Sequence, residues 1–219
     1  MPRLLTAAFA MAALAAAPSG QTRPTPDALA KALQQRYQNV RDFSAAFTHS
    51  YRGGVLRTQT TEKGTVAVKK PGRMRWIYTS PEKKEFVSDG KKVYSYLPQD
   101  KQVIVSDVPP ADQATTPALF LAGKGDISRD FTAAYAEATT PRATSLRLTP
   151  RKNEPDYEYF IVEVDPATLQ IRALTTRDRQ GGDSTLTFSN MKENQGLTDK
   201  EFAFRMPRGV DVITDGTRN

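Results

Sequence analysis

The chain has no cysteine, one histidine and one tryptophan among its 219 residues. Without thiols there can be no cysteine nucleophile, disulfide scaffold, cysteine-ligated zinc or cysteine-anchored lipid. Any Ser-His-Asp relay or metal site would have to be built around His49, beside which the sequence marks neither a second ligand nor an orienting carboxylate. His49 therefore reads as a locally hydrogen-bonded core or rim residue. No nucleophile elbow is present. Gly53-Gly54 and Gly181-Gly182 do not open helices after strands, which sets phosphate loops aside. Asp89, Asp156 and Glu158 sit where turns and strand edges are expected, and not as an acid/base pair. There is no internal repeat of roughly 20–50 residues. These absences point away from an enzyme.

What is present is enough for a core: 38% hydrophobic residues, including 10 Phe and 8 Tyr, against 25% charged. Thirty-one basic and 24 acidic side chains leave a net charge of +7. One apolar run, Leu4 to Ala17, follows Arg3 and ends in small residues. It is shorter than the roughly 20 residues of a membrane span and reads as a secretory signal peptide over 1–19. The remainder, 20–219, reads as one exported domain. Export removes nucleic acid as the partner of the basic surface, and Lys63, Lys69, Lys70, Arg73, Arg75, Lys83 and Lys84 read as a solvated face.

Along the chain, Thr25-Pro26-Asp27 marks a helix start, and Leu29, Leu33, Tyr37 and Val40 form one stripe of a helix ending near Asn39. The period then changes to 2 from Phe43 to Tyr51. A second strand is expected over Val55–Glu62, with Gly64 leading into a third. Further strands are expected near Met74–Thr79, Lys84–Ser88, Lys92–Leu97, Gln102–Ser106, Ser145–Thr149, Tyr157–Val164, Gln170–Thr176, Ser184–Asn190 and Glu201–Met206. Between Val108 and Arg142 the pattern breaks; Thr116-Pro117 starts a short helix, apolar on every side, that stops at Gly123. The sum is one curled antiparallel sheet of about ten strands, with two helical pieces to cover it.

From Thr65 to Thr79 the even positions (Val66, Val68, Met74, Trp76, Tyr78) are apolar and the odd ones mostly polar. Lys70 breaks this parity by placing a cation on the apolar side. It must either find acceptors, for which the terminal carbonyls of the short helix are suited, or swing into water at Pro71-Gly72. A sheet with an apolar inner face beneath an apolar helix describes a container for hydrophobic ligands.

Gly64-Thr-Val-Ala-Val-Lys-Lys-Pro71-Gly-Arg-Met-Arg-Trp76-Ile-Tyr78, then Phe86-Val-Ser-Asp89-Gly90 and Val93-Tyr94-Ser-Tyr96-Leu-Pro98, resembles the LolA family of periplasmic lipoprotein carriers. Phe43-Ser-Ala-Ala-Phe47, the Thr-Pro…Leu-Phe-Leu…Gly element and Phe202-Ala-Phe204…Pro207…Gly209 follow in the family's order, so the resemblance covers about residues 26–213. It implies an unclosed antiparallel β-barrel of ten to eleven strands under a helical lid, with a cavity for acyl chains. The strand residues implied for that cavity are Phe43, Phe47, Val66, Val68, Met74, Trp76, Tyr78, Phe86, Tyr94 and Tyr96; the helical elements add Leu33, Leu119, Phe120 and Leu121. In the family an arginine just before the proline ties the lid shut through backbone carbonyls, and Lys70 stands in its place.

The same resemblance implies a periplasmic monomer with no cofactor and no enzymatic activity. It would take acylated lipoproteins from an inner-membrane ABC-type release complex and pass them to an outer-membrane LolB-like receptor. Two related readings are a carrier of another acylated lipid or glycolipid, and an RseB-like lipid-sensing module.

Overall fold

Helix α1 (Pro26–Gln38) begins where the capping chemistry places it: Thr25 Oγ1 accepts from the Ala28 N–H at 3.2 Å, and Asp27 lies in the positively polarised first turn. Its Leu29, Leu33 and Tyr37 stripe is buried. The computed structural model describes residues 23–54, 58–108, 120–123 and 125–214. The expected signal peptide, Leu119 and most of the expected short helix lie outside those residues; Phe120 and Leu121 are helical and Gly123, at φ +77°, follows them.

Strands β1 (Asp42–Arg52), β2 (Gln59–Lys69), β3 (Arg73–Ser80), β4 (Lys84–Asp89), β5 (Lys92–Leu97) and β6 (Gln102–Asp107) run as an antiparallel meander. One helical turn, α2 (Ile127–Asp130), leads into a second meander: β7 (Phe131–Ala136), β8 (Thr144–Pro150), β9 (Tyr157–Val164), β10 (Ile171–Asp178) and β11 (Asp183–Glu193). A 3₁₀ turn (Asp199–Phe202) and β12 (Asp211–Thr214) end the described chain. Pairing of β1 with β11 joins the meanders into one sheet, β12-β6-β5-β4-β3-β2-β1-β11-β10-β9-β8-β7, whose two edges do not meet. The fold is the expected open, mainly antiparallel sheet covered by short helices.

Four details differ from the sequence pattern. Gly64 does not start a strand but lies inside β2, where a Cβ would meet the Ile77 carbonyl oxygen at 2.0 Å and the Phe47 ring at 2.8 Å; the glycine marks close approach, not a turn. Strand β7 was hidden by its Thr-Ala-Ala composition at the sheet edge. Glu201–Met206 is not a strand: the Thr198/Glu201 capping box closes the 3₁₀ turn, and the alternation of Phe202, Phe204 and Met206 imitates a strand. Strand β12 pairs with β6 in parallel, since the whole second meander separates them and no hairpin constrains their direction.

Residues directly opposed in a ladder share a face. On the inner face, Val66, Trp76 and Phe86 are opposed in turn, as are Phe47 and Phe188, and Leu146, Val162 and Leu174. Helix α1, Phe120, Leu121 and Ile127 complete the core on this side. The outer face carries Val87 and Val103, both 0% exposed, beneath Phe202, at 1%.

Candidate functional site: an apolar wall, its anchor and its polar rim

The inner wall of the first meander is aromatic. Phe47 meets Trp76 and Tyr78 edge-on, with centroids 5.1 and 4.9 Å apart, and Tyr78 meets Phe86 the same way at 5.7 Å. Leu33, Phe43, Phe47, Val66, Val68, Trp76, Phe120 and Leu121 are buried in one cluster, while Met74, Tyr78 and Phe86 are half-buried against it. The wall residues expected from the sequence therefore lie in or against one core, apart from Tyr94 and Tyr96; Leu119 is outside the described residues.

Tyr94 and Tyr96 lie on the other face. Tyr94 opposes Val87, and Ser95 opposes Phe86. The two-residue loop Gly90-Lys91 pairs even positions of β4 with odd positions of β5, so the parity that holds from β2 to β4 is inverted in β5. Both tyrosines contact Phe204 of the C-terminal strap, Tyr94 by stacking at 4.9 Å. Asp89 Oδ1 builds this turn by accepting from the Lys91 and Lys92 N–H groups, a signal already present in Asp89-Gly90.

The turn between β2 and β3 reaches the 120–123 segment. The Gly72 N–H donates to the Ala122 carbonyl at 2.9 Å, and the Tyr37 hydroxyl donates to the Leu121 carbonyl at 2.9 Å. Lys70 turns inward and donates to the carbonyl of Tyr37, at the end of α1, with its ammonium 3.5 Å from the centre of the Tyr37 ring. Burial, then the nearby Arg36 charge, lower the Lys70 pKa to about 8 against the opposing pull of Glu193. Burial foremost, then the Glu193 charge, push the Tyr37 phenol well above its ordinary value, so it remains a donor at neutral pH. Sequence periodicity treated Tyr37 as one more apolar residue of the stripe; its hydroxyl is the part that pattern misses.

At the far end of the inner face the wall becomes polar. His49 Nδ1 lies 3.1 Å from Glu62 Oε2, and Nε2 lies 2.9 Å from Ser184 Oγ. Lys84 donates to Glu62 Oε1 at 2.6 Å and sits 4.4 Å from the Tyr78 ring centre. Burial raises the Glu62 pKa, but the Lys84 hydrogen bond and charge, followed by those of His49, outweigh it and hold the carboxyl below its usual value. Burial foremost, with the Glu62 charge, pushes Tyr78 up to about 12. These distances resemble a nucleophile–base–acid relay. Ser184, however, lies within β11 with strands paired on both sides, so its own amide belongs to the ladder and is not free to donate to a substrate oxyanion. Within the cluster the Glu62 carboxylate is paired with the Lys84 ammonium and lies against the His49 ring. The cluster was unreadable in sequence because Ser184, His49, Glu62 and Lys84 come together only across four strand pairings, from β11 through β1, β2 and β3 to β4.

Residues 38–205 match the profile of the outer membrane lipoprotein carrier protein LolA. An outer-membrane lipoprotein carrier protein of Hahella chejuensis is 30% identical over 211 residues, covering 94% of this chain and 96% of its own. The corresponding protein of Bordetella pertussis is 31% identical over 210 residues, covering 94% of both chains. Among solved structures, an uncharacterized conserved protein from Thermus thermophilus shares the fold with a TM-score of 0.54 at 14% identity, over 85% of this chain and 99% of its own. With three-quarters of its length matched in register and relatives covered nearly end to end, this chain belongs to the LolA family of outer membrane lipoprotein carriers.

Proposed function

We propose that this protein is a periplasmic, non-enzymatic carrier that binds the acyl chains of lipoproteins against the inner face of its sheet. It would receive them from an inner-membrane ABC-type release complex and deliver them to an outer-membrane LolB-like receptor. The observation that carries this reading is the aromatic wall of the first meander, apolar yet only half-buried at Met74, Tyr78 and Phe86. It lies beneath a cover held by α1 and the 120–123 segment, in a chain whose relatives are named lipoprotein carriers. No described helix is long and apolar enough to cross a membrane.

Magnitudes support a weakly fastened cover. Burying an acyl chain contributes about 0.8 kcal/mol per methylene, so one long chain contributes on the order of 10 kcal/mol. A carrier must match most of that and still release its cargo. Hydrogen bonds of roughly 0.5–1.5 kcal/mol each, such as those joining Tyr37 and Gly72 to the 121 and 122 carbonyls, suit a cover that parts when cargo enters or leaves. In this reading Lys70 stands at the latch and the apolar wall replaces water around the acyl chains.

The test is purification of the exported protein from its own periplasm with mass spectrometry of bound lipid, together with depletion in cells. Co-purified lipoprotein acyl chains and mislocalised lipoproteins on depletion are expected. A glycolipid in their place would redirect the cargo assignment, and normal lipoprotein localisation after depletion would refute the carrier role.

A further inference from the structure

Among the described residues two groups donate to the 120–123 segment from below, the Gly72 amide and the Tyr37 phenol, and of these the phenol combines a side-chain hydrogen bond, a ring stack and burial. Tyr37 donates its hydroxyl to the Leu121 carbonyl at 2.9 Å, stacks on Phe120 with centroids 5.0 Å apart and planes 28° apart, and is 5% exposed. Lys70 makes its hydrogen bond to Tyr37 itself, at the main-chain carbonyl, and covers the ring of the same residue. We propose that the Tyr37 phenol is the anchor of the 120–123 segment over the inner face, and that Lys70 is a positioning residue acting through Tyr37.

The chemistry accounts for this division of labour. A guanidinium is a planar fork that can bridge neighbouring carbonyls, whereas an ammonium is a compact charge that concentrates on one acceptor and one ring. With lysine at position 70, the Leu121 carbonyl takes its donor from tyrosine and the Ala122 carbonyl takes its own from the Gly72 amide. Gly123 is shaped to this arrangement: its φ is +77°, and a Cβ there would fall 2.6 Å from Lys70 Cδ. The lysine stem therefore runs directly under the end of the segment while its charge passes beyond it to Tyr37. A buried phenol that loses its acceptor is costly, so Tyr37 favours either the docked segment or exposure to water, with little between. A cleft of about 160 Å³ lies beside this anchor, bordered by Gln34, Gln38 and Gly125.

That this anchor must part for cargo to enter or leave rests on the carrier reading; the anchoring geometry does not. The experiment follows amide hydrogen exchange in the full exported protein without added lipid, reading Gly72 and Gly123. Tyr37→Phe keeps the ring and its stack and should speed exchange at these amides roughly fivefold to tenfold, the loss of one hydrogen bond. Lys70→Met should give a smaller acceleration and Lys70→Arg should restore the slow rate. In the Tyr37→Phe background Lys70→Met should add nothing further, while the β8 and β9 amides stay unchanged in every variant. Exchange at Gly72 unmoved by Tyr37→Phe overturns the proposal, as does a Lys70→Met effect equally large with and without the phenol. Separately, a wild-type protein that fails to bind a synthetic dipalmitoylated peptide would refute the carrier reading while leaving the anchor standing.

Discussion

The two meanders of one sheet are built differently. In strands β8–β10 of the second, the inner residues Leu146, Leu148, Phe160 and Val162 are all 0% exposed, with Val164 and Leu174 at 1%, and the half-open residues Tyr135 and Leu186 lie on the flanking β7 and β11. In the first, Trp76 and Phe47 are buried but Met74, Tyr78 and Phe86 are half-open, and contacts between rings are edge-on. Rings also meet edge-on in the second, Phe131 with Phe160 at 5.0 Å, so the difference between the meanders is one of burial and not of ring geometry. The centre of the second meander is thus packed shut and holds the fold, and in the carrier reading proposed above the half-open aromatic wall of the first is the part that takes acyl chains.

The most direct way to break this comparison is a cavity in the packed half. Leu148→Ala should cost about 2–5 kcal/mol in chemical denaturation and leave the affinity of the remaining folded protein for an acylated peptide unchanged. A weakened affinity at full occupancy of the folded state would mean that the two halves are not separable. The buried carboxylate of the same half comes next. Glu163, 1% exposed, accepts from the Thr139 N–H and hydroxyl and from the Thr140 N–H. Burial raises its pKa, but these hydrogen bonds outweigh it, so its folded-state value lies below the ordinary one. Its stabilisation is therefore present above the unfolded-state pKa and lost as pH falls through the folded value. Glu163→Gln should cost about 1–3 kcal/mol near neutrality and reduce the loss of stability in acid, measured as denaturation midpoints against pH.

In the aromatic half the balance should reverse. Phe86→Ser is expected to weaken acyl-peptide binding about tenfold, or about 1.4 kcal/mol, with a stability loss smaller than that of Leu148→Ala; titration calorimetry and denaturation on one preparation would separate the two. Lys70 sharpens the contrast through pH. Its folded-state pKa is about 8 against 10.5 for the free side chain, so between these values the unfolded chain keeps a proton that the native chain has lost. Stability contributed by this site should rise with pH across that window, and Lys70→Met should remove the rise; Tm measured at about pH 7.5 and about pH 10 for both proteins checks it. The smallest effect belongs to the strap on the outer face. Asp199, paired with Lys69 at 2.7 Å and Arg73 at 3.3 Å, is largely exposed, and Asp199→Asn should barely move the denaturation midpoint, with the small difference vanishing in high salt.

Helix α1 was legible because its cap, its first-turn proline and its stripe are all local, and most strands were legible because alternation needs only neighbours along one chain. Parity from Val66 to Tyr78 identified the inner face of β2 and β3 correctly, and Lys70 was found as the residue that breaks it. The acceptor of Lys70 was not legible: the sequence leaves open the carbonyls of the short helix or water at Pro71-Gly72, and the structure supplies the carbonyl of Tyr37 at the end of α1. Tyr94 and Tyr96 lie on the face opposite to the one the family resemblance implies, because the two-residue turn at Gly90-Lys91 exchanges odd for even.

What the sequence by itself determined is each segment's period, its caps and which of its sides is apolar, since these depend on residues a few positions apart. Only the tertiary structure decided which apolar sides face one another, which carbonyl meets the Tyr37 phenol, and that Glu62, Lys84 and Ser184 gather around His49. Those outcomes depend on strand register and turn length, which bring together groups as far apart as 135 positions in the chain and leave no mark in either segment alone.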